Sequence, residues 1–280
     1  MIAHESGTGR PLILIHGFGV DHRILLPLDP IVAASGWRRI YVDLPWVTPV
    51  ANHPPSSTQE VADALLAELQ GHLGDEPFAI LGNSFGGMLA RYIAHEGGSQ
   101  VLGLATVAGA FVADAAERTL PDHRVIVADA DIVHRAESSA PDYLEIAVTQ
   151  TDETLRAFEE LILPGVQRAD LRVMAKIAAS YALDHEPEEA HPEPFDRPSL
   201  HIFGRQDQVT GYEDGLALRD HYSRGTFVVV DAAGHNVHLE RPDLVGPLIT
   251  DWLGRIDVEC GGVPTPPSAH PQLTAPTTPR

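Results

Sequence analysis

One cysteine, Cys260, stands in 280 residues, so no internal disulfide can close. Lysine is as scarce: Lys176 is the only one, and arginine supplies the rest of the positive charge. The 19 basic residues face 39 acidic ones, a net charge of −20 at pH 7. That balance argues against nucleic acid or an anionic membrane surface as a partner. No stretch reaches the roughly 18 apolar residues needed to span a membrane. The opening residues MIAHESGTGR carry no apolar run, so no secretory leader is expected and the cytoplasm is the expected compartment.

What is present is an alternation of short apolar runs with amphipathic stretches. Runs at 11–17, 38–45, 78–84, 101–109, 199–204 and 226–234 are rich in branched aliphatic residues without polar alternation, which suits strands covered on both faces. Between them, 57–73 has Val61, Leu65, Leu66 and Leu69 at helical spacing behind Ser57 or Thr58 as cap. Residues 85–97 and 241–256 give further helices, and the whole pattern predicts an α/β domain with a mostly parallel sheet. Residues 113–197 break the rhythm. They hold 19 acidic and 8 basic residues, and apart from RVIVA (124–128) they read as helical. The expected organisation is a core of 1–112 and 198–256, a helical cap at 113–197 returning through the proline-rich HEPEEAHPEPFDRP, and a disordered tail at 257–280.

The chemistry starts where one of these strands ends. Gly82-Asn83-Ser84-Phe85-Gly86 fits G-x-S-x-G, with a predicted strand before it and a predicted helix after it. Such a turn holds its central residue in strained geometry, and glycine on either side lets strand and helix approach. Ser84 then stands at a helix N-terminus, where N–H groups favour developing negative charge. A nucleophilic serine needs a base, and the base needs an orienting carboxylate. Asp207 in GRQDQV and His235 in AAGHNVHLERP each follow a strand, in the chain order Ser, Asp, His. HGFG (16–19) closes the first strong strand, so the backbone N–H groups of Phe18 and Phe85 are the expected oxyanion donors.

HGFG, GNSFGG, GRQD and AGHNVHLERP together resemble the α/β-hydrolase-fold serine hydrolases with a helical cap, over about residues 10–256. The resemblance implies that fold and acyl transfer through Ser84, His235 and Asp207. GNSFGG is also similar to the meta-cleavage-product hydrolases, which break C–C bonds, although HGFGVD and Asn236 depart from their pattern. DLPWVTP departs from the DLPGxGxS-like turn usual in the superfamily, so a different loop is expected after Pro45.

Other residues have plainer expected roles. Asp114 is the alternative acid, since it follows the strand at 101–109 where some relatives supply it. His238, Asp43 and Asp231 are expected to pack or to cap loops, and His16 to shape the oxyanion loop. His185 and His191 beside Glu186, Glu188 and Glu189 suggest a metal, but the flanking prolines and the solvated acidic run speak against it. No metal and no cofactor are expected, and a small molecule is the expected substrate. Three functions stay in view. They are hydrolysis of a small, mostly uncharged ester, thioester, lactone or amide; C–C hydrolysis of a diketone-like substrate; and ligand binding with slow turnover.

Overall fold

The computed structural model describes residues 1–48 and 54–261. Its strands are β1 (Ile2–Ser6), β2 (Pro11–Ile15), β3 (Arg38–Val42), β4 (Phe78–Asn83), β5 (Val101–Val107), β6 (Val127–Ala128), β7 (Thr149–Gln150), β8 (Ser199–Gly204) and β9 (Gly225–Val230). Seven of them form one sheet in the order β1-β3-β2-β4-β5-β8-β9, and β6 pairs with β7 apart from it. Every pairing in the large sheet is parallel except β1 with β3. The six sequence-predicted strands are β2, β3, β4, β5, β8 and β9. The antiparallel edge strand β1 escapes the apolar-run reading because IAHES is half polar and lies partly exposed.

Both faces of this sheet are covered, which explains the unbroken apolar runs. Successive strand residues point to opposite sides, so Leu12, Leu14, Tyr41, Leu81 and Val107 join one buried cluster with Trp252 and Ile256 of the helix Pro242–Glu259. Ile13, Ile15, Ile40, Val42 and Ile80 join the other, with Val61 and Leu65 of the helix Thr58–Leu73 and Met88 and Leu89 of the helix Phe85–Glu96. Ser57 caps the first of these helices by accepting from Glu60 N–H at 3.1 Å.

Residues 113–197, between β5 and β8, hold the short pair β6 and β7 and the helices Ala130–Ser139, Pro141–Ile146, Asp152–Ala157, Leu163–Arg168, Leu171–Ala178 and Pro187–Ala190. This segment rests on loops that leave the C-terminal ends of the strands. Asp170 N–H donates to Trp46 O at 2.9 Å, Thr58 Oγ1 donates to Tyr181 O at 2.7 Å, and Gln208 Nε2 donates to Glu145 O at 2.8 Å.

Two expectations need correction. The C-terminal helix does not stop at 256: it runs to Glu259, and Asp257 accepts from Arg10 Nη1 at 2.7 Å and Trp37 Nε1 at 3.3 Å. The rest of the expected disordered tail, residues 262–280, lies outside the described residues, as do 49–53 of the loop after Pro45. The acidic return segment is also not simply solvated. Arg91, fully buried in the helix that follows Ser84, donates through Nε to Glu188 at 2.7 Å, through Nη2 to both Glu188 and Glu186, and through Nη1 to Ala110 O at 3.0 Å. The Tyr222 hydroxyl donates to the same Glu188. A buried guanidinium demands a carboxylate, and Glu188 turns inward to supply it.

Burial alone would raise the Glu188 carboxyl, but the Arg91 charge and hydrogen bond outweigh it and hold it at about 2. The pair therefore stabilises the fold fully above the ordinary carboxylate value of about 4.3 and is lost as pH falls toward 2. Glu188→Gln, which leaves Arg91 buried with only Glu186 as counter-charge, should cost roughly 3–5 kcal/mol. Urea midpoints measured from pH 7 to pH 2.5 check this: the wild type loses stability through the acid window, and the variant starts lower and shows a flatter slope there.

Candidate active site

The glycines around Ser84 are dictated by contact. A Cβ on Gly82 would lie 2.0 Å from Gly86 O, and one on Gly86 would lie 2.3 Å from Ile15 O, so neither position accepts a side chain without moving backbone. Between them Ser84 takes φ 53° and ψ −118°, outside the regions ordinary residues occupy, at a cost of order 1–3 kcal/mol. The surroundings hold it there: Ser84 N–H donates to Val107 O at 3.0 Å, and Ser84 O accepts from Ala110 N–H at 3.0 Å. The buried Asn83 amide donates to Val107 O at 3.0 Å and ties the turn to β5.

The strain presents Ser84 Oγ to an imidazole. Ser84 Oγ lies 2.9 Å from His235 Nε2, and His235 Nδ1 lies 3.0 Å from Asp207 Oδ2. Asp207 is fully buried; its Oδ1 accepts from the N–H groups of Val209 (2.9 Å) and Thr210 (3.0 Å), and its Oδ2 accepts from the Thr210 hydroxyl at 2.8 Å. Burial pushes this carboxyl up, but the His235 charge and the donors on Asp207 prevail and hold it below its ordinary range. Residues that follow β4, β8 and β9, with Ser84 more than a hundred positions before the other two, thus form one hydrogen-bonded chain. It sits beside the junction of β2 and β4, where the strand order reverses and where open α/β sheets form their crevice.

The loop after β2 lies against the turn that carries Ser84. A Cβ on Gly17 would stand 3.2 Å from Ser84 Cβ. His16 is buried behind it, donating from Nδ1 to Gly17 O at 2.8 Å and accepting at Nε2 from Leu44 N–H at 3.0 Å. Burial lowers His16 to about 4, so it is a neutral brace between two loops. The Phe18 and Phe85 rings meet at 5.4 Å between centroids, and Tyr181 of the segment above packs on both, at 5.5 and 5.2 Å. The Met174 side chain reaches over the same loop at Gly19.

The remaining candidates separate cleanly. Asp114 is exposed and accepts from Ala116 N–H at 2.9 Å, with no part in the His235 chain. His238 is buried and donates from Nε2 to Ile24 O at 2.9 Å; burial lowers it to about 4. Asp43 accepts from His22 N–H at 3.0 Å, and Asp231 accepts from Gln206 Nε2 at 2.8 Å, each bracing a loop. Sequence reasoning passed over Glu240. This buried carboxylate accepts from Val148 N–H at 2.6 Å and Thr149 N–H at 3.0 Å, and from Gly234 N–H at 2.6 Å. It joins β7 and the residue before it to the residue preceding His235. The sequence signal was slight: a glutamate among Val237, His238 and Leu239 in the short helix VHLE.

The family model described as the α/β hydrolase fold matches residues 10–242, and the chain belongs to this family. It is 26% identical over 255 residues to a pimeloyl-(acyl-carrier protein) methyl ester esterase from Neisseria meningitidis, covering 87% of this chain and 93% of that one. It is 25% identical over 278 residues to a 2-hydroxymuconate semialdehyde hydrolase from Pseudomonas, covering 91% of this chain and 90% of that one. Among solved structures, an α/β superfamily hydrolase from Oenococcus oeni superposes with a TM-score of 0.83 at 27% identity, covering 91% of this chain and 95% of that one. No helix among the described residues is long and apolar enough to cross a membrane.

Proposed function

We propose that this chain is a cytoplasmic serine hydrolase that cleaves a small, mostly uncharged carboxylic ester through an acyl-enzyme, with thioesters, lactones and amides open to the same chemistry. The observation that carries the reading is the chain Ser84 Oγ, His235, Asp207 at 2.9 and 3.0 Å, mounted on a strained strand-to-helix turn. Ser84 Oγ attacks the carbonyl carbon while His235 Nε2 takes its proton. The imidazolium then gives that proton to the departing alcohol, and a water, deprotonated by the same nitrogen, releases the acid and frees Ser84. Asp207 orients His235 and balances its transient charge. The N–H groups of Phe18 and Phe85 hold the oxyanion: Phe85 opens the helix after Ser84, and Phe18 follows the glycine packed on Ser84.

The similarity to methyl ester esterases supports an ester as the scissile group. Residues 113–197 form the roof of the pocket in this reading, with Tyr181 and the two phenylalanines as an apolar wall. Their acidic balance, 19 against 8, disfavours polyanionic substrates such as acyl-CoA at encounter. The reading takes a small molecule as substrate and involves neither nucleic acid nor a membrane. The similarity to the 2-hydroxymuconate semialdehyde hydrolase favours one second reading, C–C cleavage of a diketone-like substrate by the same three residues.

A fluorophosphonate probe and a panel of neutral and anionic aryl esters at two ionic strengths test the proposal. Expected are stoichiometric labelling of Ser84, rates that fall as the acyl chain lengthens, and discrimination against anionic esters that weakens with salt. An unlabelled Ser84 defeats the hydrolase reading. Faster cleavage of a vinylogous diketone than of any ester selects the second.

A further inference from the structure

DLPWVTP puts an indole where the DLPGxGxS-like turn has its first glycine. The loop after β3 leaves the sheet beside the loop after β2, because these strands are parallel neighbours. Trp46, only 2% exposed, bridges the two loops. Its indole N–H donates to Val20 O at 2.9 Å. Its ring packs on Phe18 at 4.8 Å, on His16 at 5.6 Å and on Phe85 at 5.7 Å between centroids. Its own carbonyl accepts from Asp170 N–H at 2.9 Å, in the segment above. One residue thus meets the start, the middle and the end of 16–20.

We propose, resting on the serine-hydrolase reading above, that Trp46 is a positioning residue for the oxyanion hole. It fixes the loop after β2 so that Phe18 N–H is already in place when charge develops on the substrate oxygen. An oxyanion donor lowers the barrier only if it is preorganised, since a donor that must first be ordered gives back what it gains. The two donors differ in this respect. Phe85 is the first residue of a 12-residue helix, and the bonds at Ser84 hold its backbone. Phe18 lies in an irregular loop, ahead of Gly19 at φ 77°. Two braces bracket it: His16 bonds to Leu44 N–H at one end, and Trp46 bonds to Val20 O at the other.

Trp252 supplies a matched comparison within the same molecule. It is equally buried, and its indole N–H also donates to a backbone carbonyl, Pro198 O at 3.0 Å. It belongs to the buried cluster on the opposite face of the sheet from Trp46. Loss of its N–H should cost stability alone. Loss of the Trp46 N–H should cost stability and, in addition, the placement of one oxyanion donor.

Trp46→Phe and Trp252→Phe, each with its melting curve, are compared with the wild type on a short-chain aryl ester. Inhibition by an aryl trifluoromethyl ketone, whose adduct with Ser84 puts an anionic oxygen in the hole, is measured alongside. Trp46→Phe should lower kcat about 10- to 100-fold, less than the roughly 10²–10³ that follows removal of a whole donor. Its KM should stay within about threefold, and ketone affinity should fall by the same factor as kcat/KM, because the hole acts on the transition state alone. Trp252→Phe should keep kcat, KM and ketone affinity. Trp46→Tyr, nearer in bulk and also without the indole N–H, serves if Trp46→Phe melts below the assay temperature. An unchanged kcat, a raised KM alone, or an equal loss of kcat in Trp252→Phe overturns the role of Trp46 and leaves the hydrolase reading standing. A wild-type Ser84 that takes no fluorophosphonate overturns both.

Discussion

Ser84→Ala should fold like the wild type and turn over an aryl ester on the order of 10³ to 10⁶ times more slowly, because members of such a triad act as a unit. The variant keeps the backbone that shapes the turn: Ser84 N–H to Val107 O and Ser84 O to Ala110 N–H involve no side-chain atom. Alanine tolerates φ 53° about as poorly as serine does, so the strain is unchanged. What disappears is Oγ and its 2.9 Å contact to His235 Nε2. Steady-state kinetics together with a melting curve decide the matter. Activity within tenfold of wild type, or loss of the melting transition, would remove Ser84 from the proposed mechanism or from a purely chemical role.

Asp207→Asn should lower kcat by on the order of 10³- to 10⁴-fold, and the direction follows from which oxygen does what. Oδ1 accepts two backbone N–H groups, from Val209 and Thr210, so the amide oxygen of the variant must occupy that position. The amide nitrogen then falls where Oδ2 stands, 3.0 Å from His235 Nδ1. A donor there stabilises the tautomer with its proton on Nε2, facing Ser84, and such an imidazole cannot accept the serine proton. Asp114→Asn, exposed and bonded only within its own loop, should leave turnover unchanged. Parallel rate measurements on the two variants separate the acids; reversed behaviour would move the orienting carboxylate to the end of β5.

Ser84, Asp207 and His235 were readable in the sequence because each follows an apolar run within a few residues, and such runs in a parallel sheet end along one common edge. The two buried faces of β2, β3 and β4 were readable for the same reason, since unbroken Ile, Leu and Val cannot face water on either side. Local pattern determined those elements, the glycine spacing at 82 and 86, and the chain order of the three polar residues. Only the tertiary structure decided which carboxylate reaches His235. Asp207 and Asp114 both follow strands, and just one meets the imidazole. It likewise decided that Glu188 pairs with Arg91 ninety-seven positions earlier rather than facing solvent, and that Glu240 holds the His235 loop against β7. Buried charge finds its partner through space, and separation along the chain carries no record of it.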